Sequence, residues 1–367
     1  MTSDFVRYSP EIETIDPHLD ELLPRIIEFW EKLVNASPTT EGSGHAVRGA
    51  HAKTLGVVRA EVEILENVPA PYAQGIYAKP GRHGSLIRFS SAAGHLGPDA
   101  MLGPVLGFAI KIFDVDGPNL IEDEPDSGTF DLVLKNNPVF IASTAKHYLF
   151  IQEIGDSVGD YLARGKAGFR ELLTDFLTGK GSLPQSEWAW DELFAFVRNA
   201  QSPVRNPLVN TYWTMGAMRH GDYVAKVRVA PTADSVSQVS NSELDLNSGP
   251  EVFGPALVDE LRARPFDFDL QVQLCTDLEV MPVNNVTVEW PEKLSPFVTV
   301  GRIHIPRQDS FDEGDALAFN QWRVTADHQP LGEIMQVRRI YSTSAWIRRS
   351  LNDQVQVEPA SADAVVP

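Results

Sequence analysis

The sequence predicts an α+β fold in which an antiparallel β-barrel or sandwich carries inserted and flanking helices. Apolar and polar residues alternate strictly over Val58–Ile64 and again over Phe266–Leu274. A period of two residues is typical of strands with one buried face, and several such strands favour an antiparallel sheet. The helical patterns are grouped between the strands instead of following each one, which argues against a doubly wound parallel sheet.

The first predicted element is a helix from about Pro24 to Asn35, inside an N-terminal helical arm over residues 1–38. Proline suits the first turn of a helix, and the apolar residues that follow recur at helical spacing. The next segment, Thr39–Gly49, is rich in Gly, Ser and Thr, which predicts an irregular loop that leads to His51. Loops held by a rigid scaffold often carry functional groups.

Further strands and helices are predicted along the rest of the chain. Alternating apolar residues predict strands around Phe108–Ile112 and Ala225–Val229. Helical spacing predicts three helices, at about Val158–Thr178, Glu187–Asn199 and Val252–Arg264. We expect residues 1–352 to form one domain. The tail over residues 353–367 is small, polar and acidic, so it is expected to be disordered.

Composition and charge exclude several classes of partner. The chain has 367 residues, of which 43% are hydrophobic and 22% charged, as in an ordinary soluble globular protein. Its formal net charge of -19 argues against binding to nucleic acid or to an anionic membrane surface. No segment approaches the roughly 18 uninterrupted apolar residues of a membrane span.

The N-terminus and the cysteine content favour a cytoplasmic protein. Met1–Asp20 is acidic and lacks the apolar segment of a secretory signal. The single cysteine, Cys275, lies in an apolar strand pattern, so no disulfide within the chain is expected. We interpret Cys275 as a core residue.

His51 is the first candidate catalytic residue. It stands in the segment Arg48-Gly-Ala-His51-Ala-Lys53, and Arg88-Phe89-Ser90 follows downstream. A lone histidine is more often a hydrogen-bonded structural residue than a catalytic one, so the surrounding pattern decides. Imidazole is well suited to moving a proton between two atoms of a substrate.

These two segments resemble the distal-face signature of haem catalases, and the resemblance extends from about Arg48 to Arg349. It includes Gly107–Lys111, Asp131–Val133, Asn136–Phe140, Pro282–Asn284, Trp290-Pro291 and Val300–Ile303. Each segment alone is weak evidence, but together their order and spacing match those of catalases. Tyr212-Trp213 with Arg219, Gly221 and Lys226 looks more like the shorter catalase-related bacterial haem proteins, or catalase-like peroxidases, than like full-length catalases.

The resemblance implies a catalase-like antiparallel β-barrel that encloses one haem b. It assigns the iron to the phenolate of Tyr341, and such a phenolate prefers a nearby cation. Arg338 is the implied cation. If the segment around them is one helix, Arg338 lies on the same face as Tyr341, and Arg348 returns to that face two turns later. The remaining implied haem contacts are Arg48, Arg88 and Arg348 to the propionates and Phe140 near the porphyrin.

On the distal side, the resemblance assigns His51 to proton transfer and Ser90 to fixing its tautomer. An asparagine should hold the peroxide, and Asn136 is the assigned residue, with Asn137 as the alternative. Counted back from Pro138, the usual amide position holds Lys135 instead. This departure predicts that disproportionation of hydrogen peroxide is impaired.

The expected activity is therefore haem-dependent peroxidase-type reduction of hydrogen peroxide or organic hydroperoxides, with weak catalase activity. The expected partners are a peroxide and a small-molecule electron donor, and a homo-oligomer is implied by the resemblance. One alternative is a fatty-acid hydroperoxide isomerase or lyase similar to allene oxide synthase. Another is a barrel that binds haem or an apolar ligand without catalysis.

Overall fold

A closed antiparallel β-barrel forms the centre of the protein in the computed structural model, which describes residues 5–121, 128–311, 317–353 and 359–364 without the side chains of residues 102, 156 and 341–344. The strands are β1 (Thr54–Ile64), β2 (Gly81–Ser91), β3 (Leu106–Ile112), β4 (Phe130–Lys135), β5 (Tyr212–Trp213), β6 (Met218–His220), β7 (Tyr223–Pro231), β8 (Phe266–Leu274) and β9 (Val298–Ile305). Their order is β5-β4-β3-β2-β1-β9-β8-β7-β6, with an additional pairing between β5 and β7. That pairing closes a ring of eight strands and leaves β6 beside β7. The predicted fold class is confirmed.

Helices are inserted between the strands and flank them. They are α1 (Leu19–Thr40), α2 (Asp99–Leu102), α3 (Ala145–Asp156), α4 (Val158–Ala163), α5 (Gly165–Thr178), α6 (Trp190–Ala200), α7 (Ala233–Gln238), α8 (Phe253–Ala263), α9 (Glu333–Arg338) and α10 (Tyr341–Leu351). The helix predicted over residues 158–178 is divided into α4 and α5 at Arg164. Gly165 has a φ of +61°, a left-handed backbone that glycine adopts without strain and that ends a helix.

The bore of the barrel is a packed aromatic and aliphatic core. The ring of Phe108 lies 5.1 Å from Phe89, 5.2 Å from Tyr212 and 5.5 Å from Phe268 between ring centroids. All four of these side chains are fully buried. Their rings fill the space that a ligand in the bore would need, so a binding function must use another part of the molecule.

The outer face of the barrel carries polar side chains where helices cover it. Because successive side chains alternate between the two faces of a strand, residues 88 and 90 of β2 point outward while Ile87 and Phe89 point inward. Antiparallel pairing aligns Ser90 with Gly107, and Gly107 with Lys135. These three residues form one row across β2, β3 and β4, which we call the outer row. A second apolar core, between α1, α3 and α9, lies beside the barrel.

Part of the C-terminal tail has a defined position in the structure. Within the tail that was expected to be disordered, residues 359–364 lie on the barrel, where the carbonyl oxygen of Ala362 accepts a hydrogen bond of 3.0 Å from Arg59 Nε. Ala362 also packs in a small apolar cluster with Leu86 and Phe113. Cys275 follows β8 and is fully buried, as predicted. None of the helices in the described ranges has both the length and the apolar character needed to cross a bilayer.

Replacing Phe108 by alanine tests whether the bore is a packed core. We expect the free energy of unfolding to fall by about 3–5 kcal/mol, because a ring with close neighbours on all sides is removed. Chemical denaturation measures the change. Phe194→Ala is the control, since its ring is 66% exposed on α6, and it should change the free energy of unfolding by less than about 0.5 kcal/mol. Equal losses in the two variants would contradict a packed bore.

Candidate functional site

His51 lies at the edge of the outer row in a strained backbone conformation. Its φ is +54°, in the left-handed region that costs a residue with a Cβ roughly 1–2 kcal/mol. Hydrogen bonds hold the segment in place: His51 N donates to Ala92 O over 3.2 Å, and Ala52 N donates to Ala93 O over 3.0 Å. Strained residues that the surrounding structure holds in this way concentrate at functional sites.

Arg88 supports the same segment from the outer face of β2. Its Nη2 donates to the His51 carbonyl oxygen over 2.7 Å and to Thr54 Oγ1 over 2.8 Å, and its Nε donates to the same hydroxyl over 3.0 Å. The buried guanidinium therefore fixes the main chain of His51 while its positive charge stays beside the imidazole. Thr54 was not a candidate in the sequence, because a threonine at the start of a strand carries no signal of this contact.

The imidazole of His51 lies between Ser90 and Gly107. His51 Nδ1 and Ser90 Oγ are 2.9 Å apart, a hydrogen bond in which either atom can donate. A Cβ at position 107 would overlap the His51 ring and would come 2.7 Å from Ser90 Oγ. Only glycine at this position of the outer row leaves room for the ring.

The pKa of His51 is strongly lowered, to about 3. Burial is the main cause, because the surrounding protein removes the water that would solvate an imidazolium. The positive charges of Arg88, Arg338, Lys135 and Arg48 add to the effect in that order. His51 is consequently neutral at every ordinary pH. If Ser90 accepts the Nδ1 hydrogen, the lone pair of the ring lies on Nε2.

Lys135 ends β4 on the outer row, directly beside Gly107. It is 6% exposed, and its Nζ donates to Asn199 Oδ1 over 2.6 Å. Burial, followed by the positive charge of Arg338, lowers the pKa of Lys135 to about 7. Asn199 belongs to α6, and nothing in the sequence linked that helix to this site.

The two candidate amides are held by the backbone. Asn136 Oδ1 accepts from Leu106 N and Asn136 Nδ2 donates to Pro104 O, both over 2.8 Å. The Asn136 side chain thus joins the end of β4 to the start of β3, and its role on a substrate stays a prediction. Asn137 Oδ1 accepts from Val139 N over 3.3 Å. Its Nδ2 donates to no protein atom within the described residues.

The other predicted contacts lie around the same end of the barrel. Arg48 is half-buried, and its Nη2 donates to Leu317 O over 2.6 Å. Phe140 is half-buried, with Lys135 Nζ 5.8 Å and Arg338 Cζ 5.6 Å from its ring centroid. Arg348 is buried in α10. Asn352, which follows this helix, accepts a hydrogen bond from Ala46 N and donates one to Ala46 O, two residues before Arg48.

The C-terminal segment forms two helices, whereas the shared face of Arg338, Tyr341 and Arg348 was expected only for one helix. α9 ends at Arg338 and α10 begins at Tyr341, and between them Arg339 N and Ile340 N donate to Gln336 O and Val337 O, three residues earlier. This tighter turn interrupts the helical repeat between Arg338 and Tyr341, on which the shared face of Arg338, Tyr341 and Arg348 depended. The side chain of Tyr341 lies outside the described residues, and its role as iron ligand stays a prediction.

Comparison with solved structures finds the same fold in catalases. A fungal catalase matches with a TM-score of 0.57 and 15% identity over 88% of this chain and 63% of that chain. Catalase A from Saccharomyces cerevisiae gives 0.60 and 16% over 90% and 67%. A bacterial catalase gives 0.57 and 16% over 89% and 63%. The chain therefore has a catalase-like fold and spans between 63% and 67% of the length of these chains.

Two comparisons made on the sequence give no match. No family model matches this chain, and no curated protein matches it. The expected closeness to the shorter catalase-related bacterial proteins therefore stays a prediction.

Replacing Gly107 by alanine tests the contact between the barrel wall and His51. The new methyl group would overlap the imidazole, so we expect a loss of about 1–3 kcal/mol of stability and a displaced His51 ring, measured by denaturation and by the NMR signals of the imidazole. Gly155→Ala is the matched control, because a Cβ there meets nothing within 4 Å. It should leave stability equal or slightly higher. An unchanged His51 signal in the Gly107 variant would exclude the contact.

Proposed function

We propose that this chain is a haem-dependent oxidoreductase that consumes peroxides, with peroxidase-type turnover stronger than catalase turnover. One observation carries the proposal: a neutral, backbone-strained His51 is held against Ser90 and Gly107, near three arginines and Lys135, on the outer wall of a catalase-like barrel. The substrates are hydrogen peroxide or organic hydroperoxides, and a small molecule supplies the electrons.

The chemistry of the site suits an anionic cofactor. Positive charges collected in a poorly hydrated region repel each other, and carboxylates bound among them would remove that repulsion. Guanidinium groups match carboxylates through paired hydrogen bonds, which supports Arg48, Arg88 and Arg348 as the residues that hold haem propionates. When bound, the haem supplies the redox-active iron, and Tyr341 is the proposed ligand.

One contact limits where the cofactor can lie. A flat ring system between Arg338 and Phe140 would need contact distances of about 3.5 Å on both of its faces. The two groups are 5.6 Å apart from Cζ to ring centroid, which is too close. A macrocycle would therefore not fit between Arg338 and Phe140 in their present positions.

The residues of the chain supply proton transfer and orientation. A proton taken from the peroxide passes through His51 Nε2 to the leaving oxygen, so that His51 ends neutral as it began. Ser90 keeps the other ring proton on Nδ1, which preserves the tautomer through the reaction. A carboxylate bound among the cations raises the pKa of His51 from about 3 and makes it a better base.

The proposal is tested by loading the purified protein with haem and assaying three peroxides. Absorbance spectroscopy reports haem uptake, and steady-state assays compare hydrogen peroxide, an alkyl hydroperoxide and a lipid hydroperoxide with an added electron donor. Turnover of hydrogen peroxide that depends on the donor supports the proposal. Rearrangement of the lipid hydroperoxide without a donor would replace it with isomerase activity, and folded protein that takes up no haem would refute it.

His51→Ala should leave haem bound but slow the reaction with peroxide by about 100- to 10,000-fold, the usual contribution of a general acid-base group. Stopped-flow absorbance measures this rate. His304→Ala is the matched control, because His304 lies on β9 and pairs with Asp267 at 2.6 Å, away from His51. A wild-type rate in the His51 variant would remove this residue from the mechanism.

Tyr341→Phe should prevent formation of the native haem spectrum, because a phenyl ring has no atom that can bind iron. Absorbance and haem affinity are measured side by side with Cys275→Ser. The cysteine is buried in the core and should not affect the spectrum. An unchanged spectrum in the tyrosine variant, or a changed one in the cysteine variant, would place the ligand elsewhere.

A further inference from the structure

We infer that Lys135 is a second proton-accepting residue of this site and takes the first proton from the bound peroxide. The inference rests on the proposed function. It concerns a residue that stands where the resemblance predicts an amide, and it gives that residue a chemical task.

Lys135 differs from two other buried lysines, Lys53 and Lys111, in its charge partners. Lys53 pairs with Asp99 at 2.6 Å and with Glu251 at 2.8 Å. Lys111 pairs with Asp131 at 2.9 Å. Lys135 makes no ion pair with any residue in the described ranges, and its one hydrogen bond goes to the neutral amide of Asn199. A buried lysine without a carboxylate is costly unless it can lose its proton.

A fourth buried lysine provides an internal comparison. Lys226 lies on β7, where its Nζ donates to Val288 O over 3.2 Å and sits 5.0 Å from the Trp290 ring centroid. Burial lowers its pKa to about 7, while the charge of Glu289 opposes the shift. Lys226 therefore resembles Lys135 in burial and in acidity, but it lies on a strand away from the outer row.

The position of Lys135 relative to His51 follows from the strand register. Gly107 lies under the His51 ring, and Lys135 is the direct antiparallel neighbour of Gly107 on the same face. Side chains of such neighbours begin about 4.5–5.5 Å apart. The charge of Lys135 acts on His51, and the charge of Arg338 acts on both residues. Asn199 from α6 and the ring of Phe140 complete the surroundings of Nζ.

The two bases of the site have separate proton affinities. The pKa of His51 is lowered to about 3 and that of Lys135 to about 7. A peroxide beside both meets the stronger base in the neutral amine of Lys135, so near neutral pH the first proton goes there. The hydrogen bond to Asn199 uses one N–H and leaves the lone pair of the neutral amine available.

The proposed step is a proton transfer without redox change. The O–H bond of the peroxide breaks and an N–H bond forms on Nζ, which converts neutral lysine and hydrogen peroxide into lysinium and the hydroperoxide anion. The electron pair of the O–H bond stays on oxygen. The surrounding positive charges favour the anion.

The experiment follows the rate of reaction with hydrogen peroxide and the affinity for hydrogen cyanide against pH in the haem-loaded protein. Cyanide binds as an anion, so its acid form must also give up a proton. In the wild type both quantities should rise with pH through an inflection at or above about 7, because anionic propionates raise the pKa of Lys135. Lys135→Met and Lys135→Arg should both lose this inflection and react about 100-fold more slowly at pH 8.

Three further variants separate proton transfer from charge and from folding. Asn199→Asp places a carboxylate beside Nζ and should move the inflection upward by about 1 pH unit or more. Lys226→Met should leave the inflection in place. Lys135→Met should unfold at a higher temperature than the wild type at pH 6. That advantage should shrink between pH 7 and about 10.5, because the unfolded lysine then loses its proton too.

The possible results distinguish this inference from the proposed function. If Lys135→Arg behaves as the wild type, the residue acts only as a fixed charge and the inference is wrong. If the wild type reacts with peroxide but shows no inflection, or keeps the same one in Lys135→Met, the inference fails while the proposed function stands. If the wild type binds haem but does not react with peroxide, the proposed function fails. In the haem-free protein, ¹⁵N NMR measures the pKa of Lys135 Nζ directly. A higher pKa in Asn199→Asp than in the wild type would support the absence of a carboxylate partner for Lys135 in the wild type.

Discussion

The concentration of positive charge around His51 is the constraint on which the rest of the site depends. Arg88, Arg338, Lys135 and Arg48 all act on one imidazole in a region with little water. Because charges in such a region are weakly screened, each group in the cluster raises the free energy of placing a proton on another. Burial is the main cause of the neutral histidine and of the lowered pKa of Lys135, and the repulsion between the positive charges adds to both shifts. The same repulsion would be relieved by a bound anion.

The alternation of side chains along the strands keeps this charge apart from the barrel core. Phe89 and Phe108 fill the bore, while Ser90 and Gly107, their neighbours in sequence, stand on the outer face. A slip of one residue in the register would exchange the two sets and bury the polar row in the aromatic core. The tight packing of the bore therefore also fixes the position of the outer row. Helix α6 contacts this row through the bond from Lys135 to Asn199, and burial is the main cause of the pKa shifts of Lys135 and His51.

The predictability of the structure from sequence depends on how local each feature is. The strand Phe266–Leu274 is predicted with its observed bounds, because the alternation of apolar and polar residues is a property of the segment itself. The first helix is longer than predicted and contains Pro24 and Pro38, because tertiary packing of Ile26 and Trp30 stabilises turns that local propensity disfavours.

Long-range contacts in the site could not be predicted in this way. The candidates His51, Ser90 and Arg88 lie together in the structure. Ser90 and Arg88 are 39 and 37 residues from His51 in sequence, and the fold of the barrel brings them together. The partner of Lys135 is Asn199, 64 residues away on a helix with no polar motif. Such contacts arise only when the barrel closes and α6 packs against it.

The position of the amide side chains bears differently on two stages of peroxide chemistry, the activation of one peroxide and its disproportionation with a second. Activation of a first peroxide requires a proton acceptor, and the proposed acceptors are His51 at the edge of the outer row and Lys135 within it. Disproportionation also requires that a second peroxide be oriented so that it gives up both its hydrogens, a task suited to a side-chain amide aimed at the substrate. The Asn136 side chain instead bonds the backbone, since its amide oxygen accepts from Leu106 N and its amide nitrogen donates to Pro104 O. Turning it toward a substrate would leave those two backbone groups unsatisfied near the start of β3, at a cost of about 1–3 kcal/mol for each buried group. The tethered amide thus supports the part of our proposal in which one peroxide reacts with an external electron donor more readily than two peroxides react in turn.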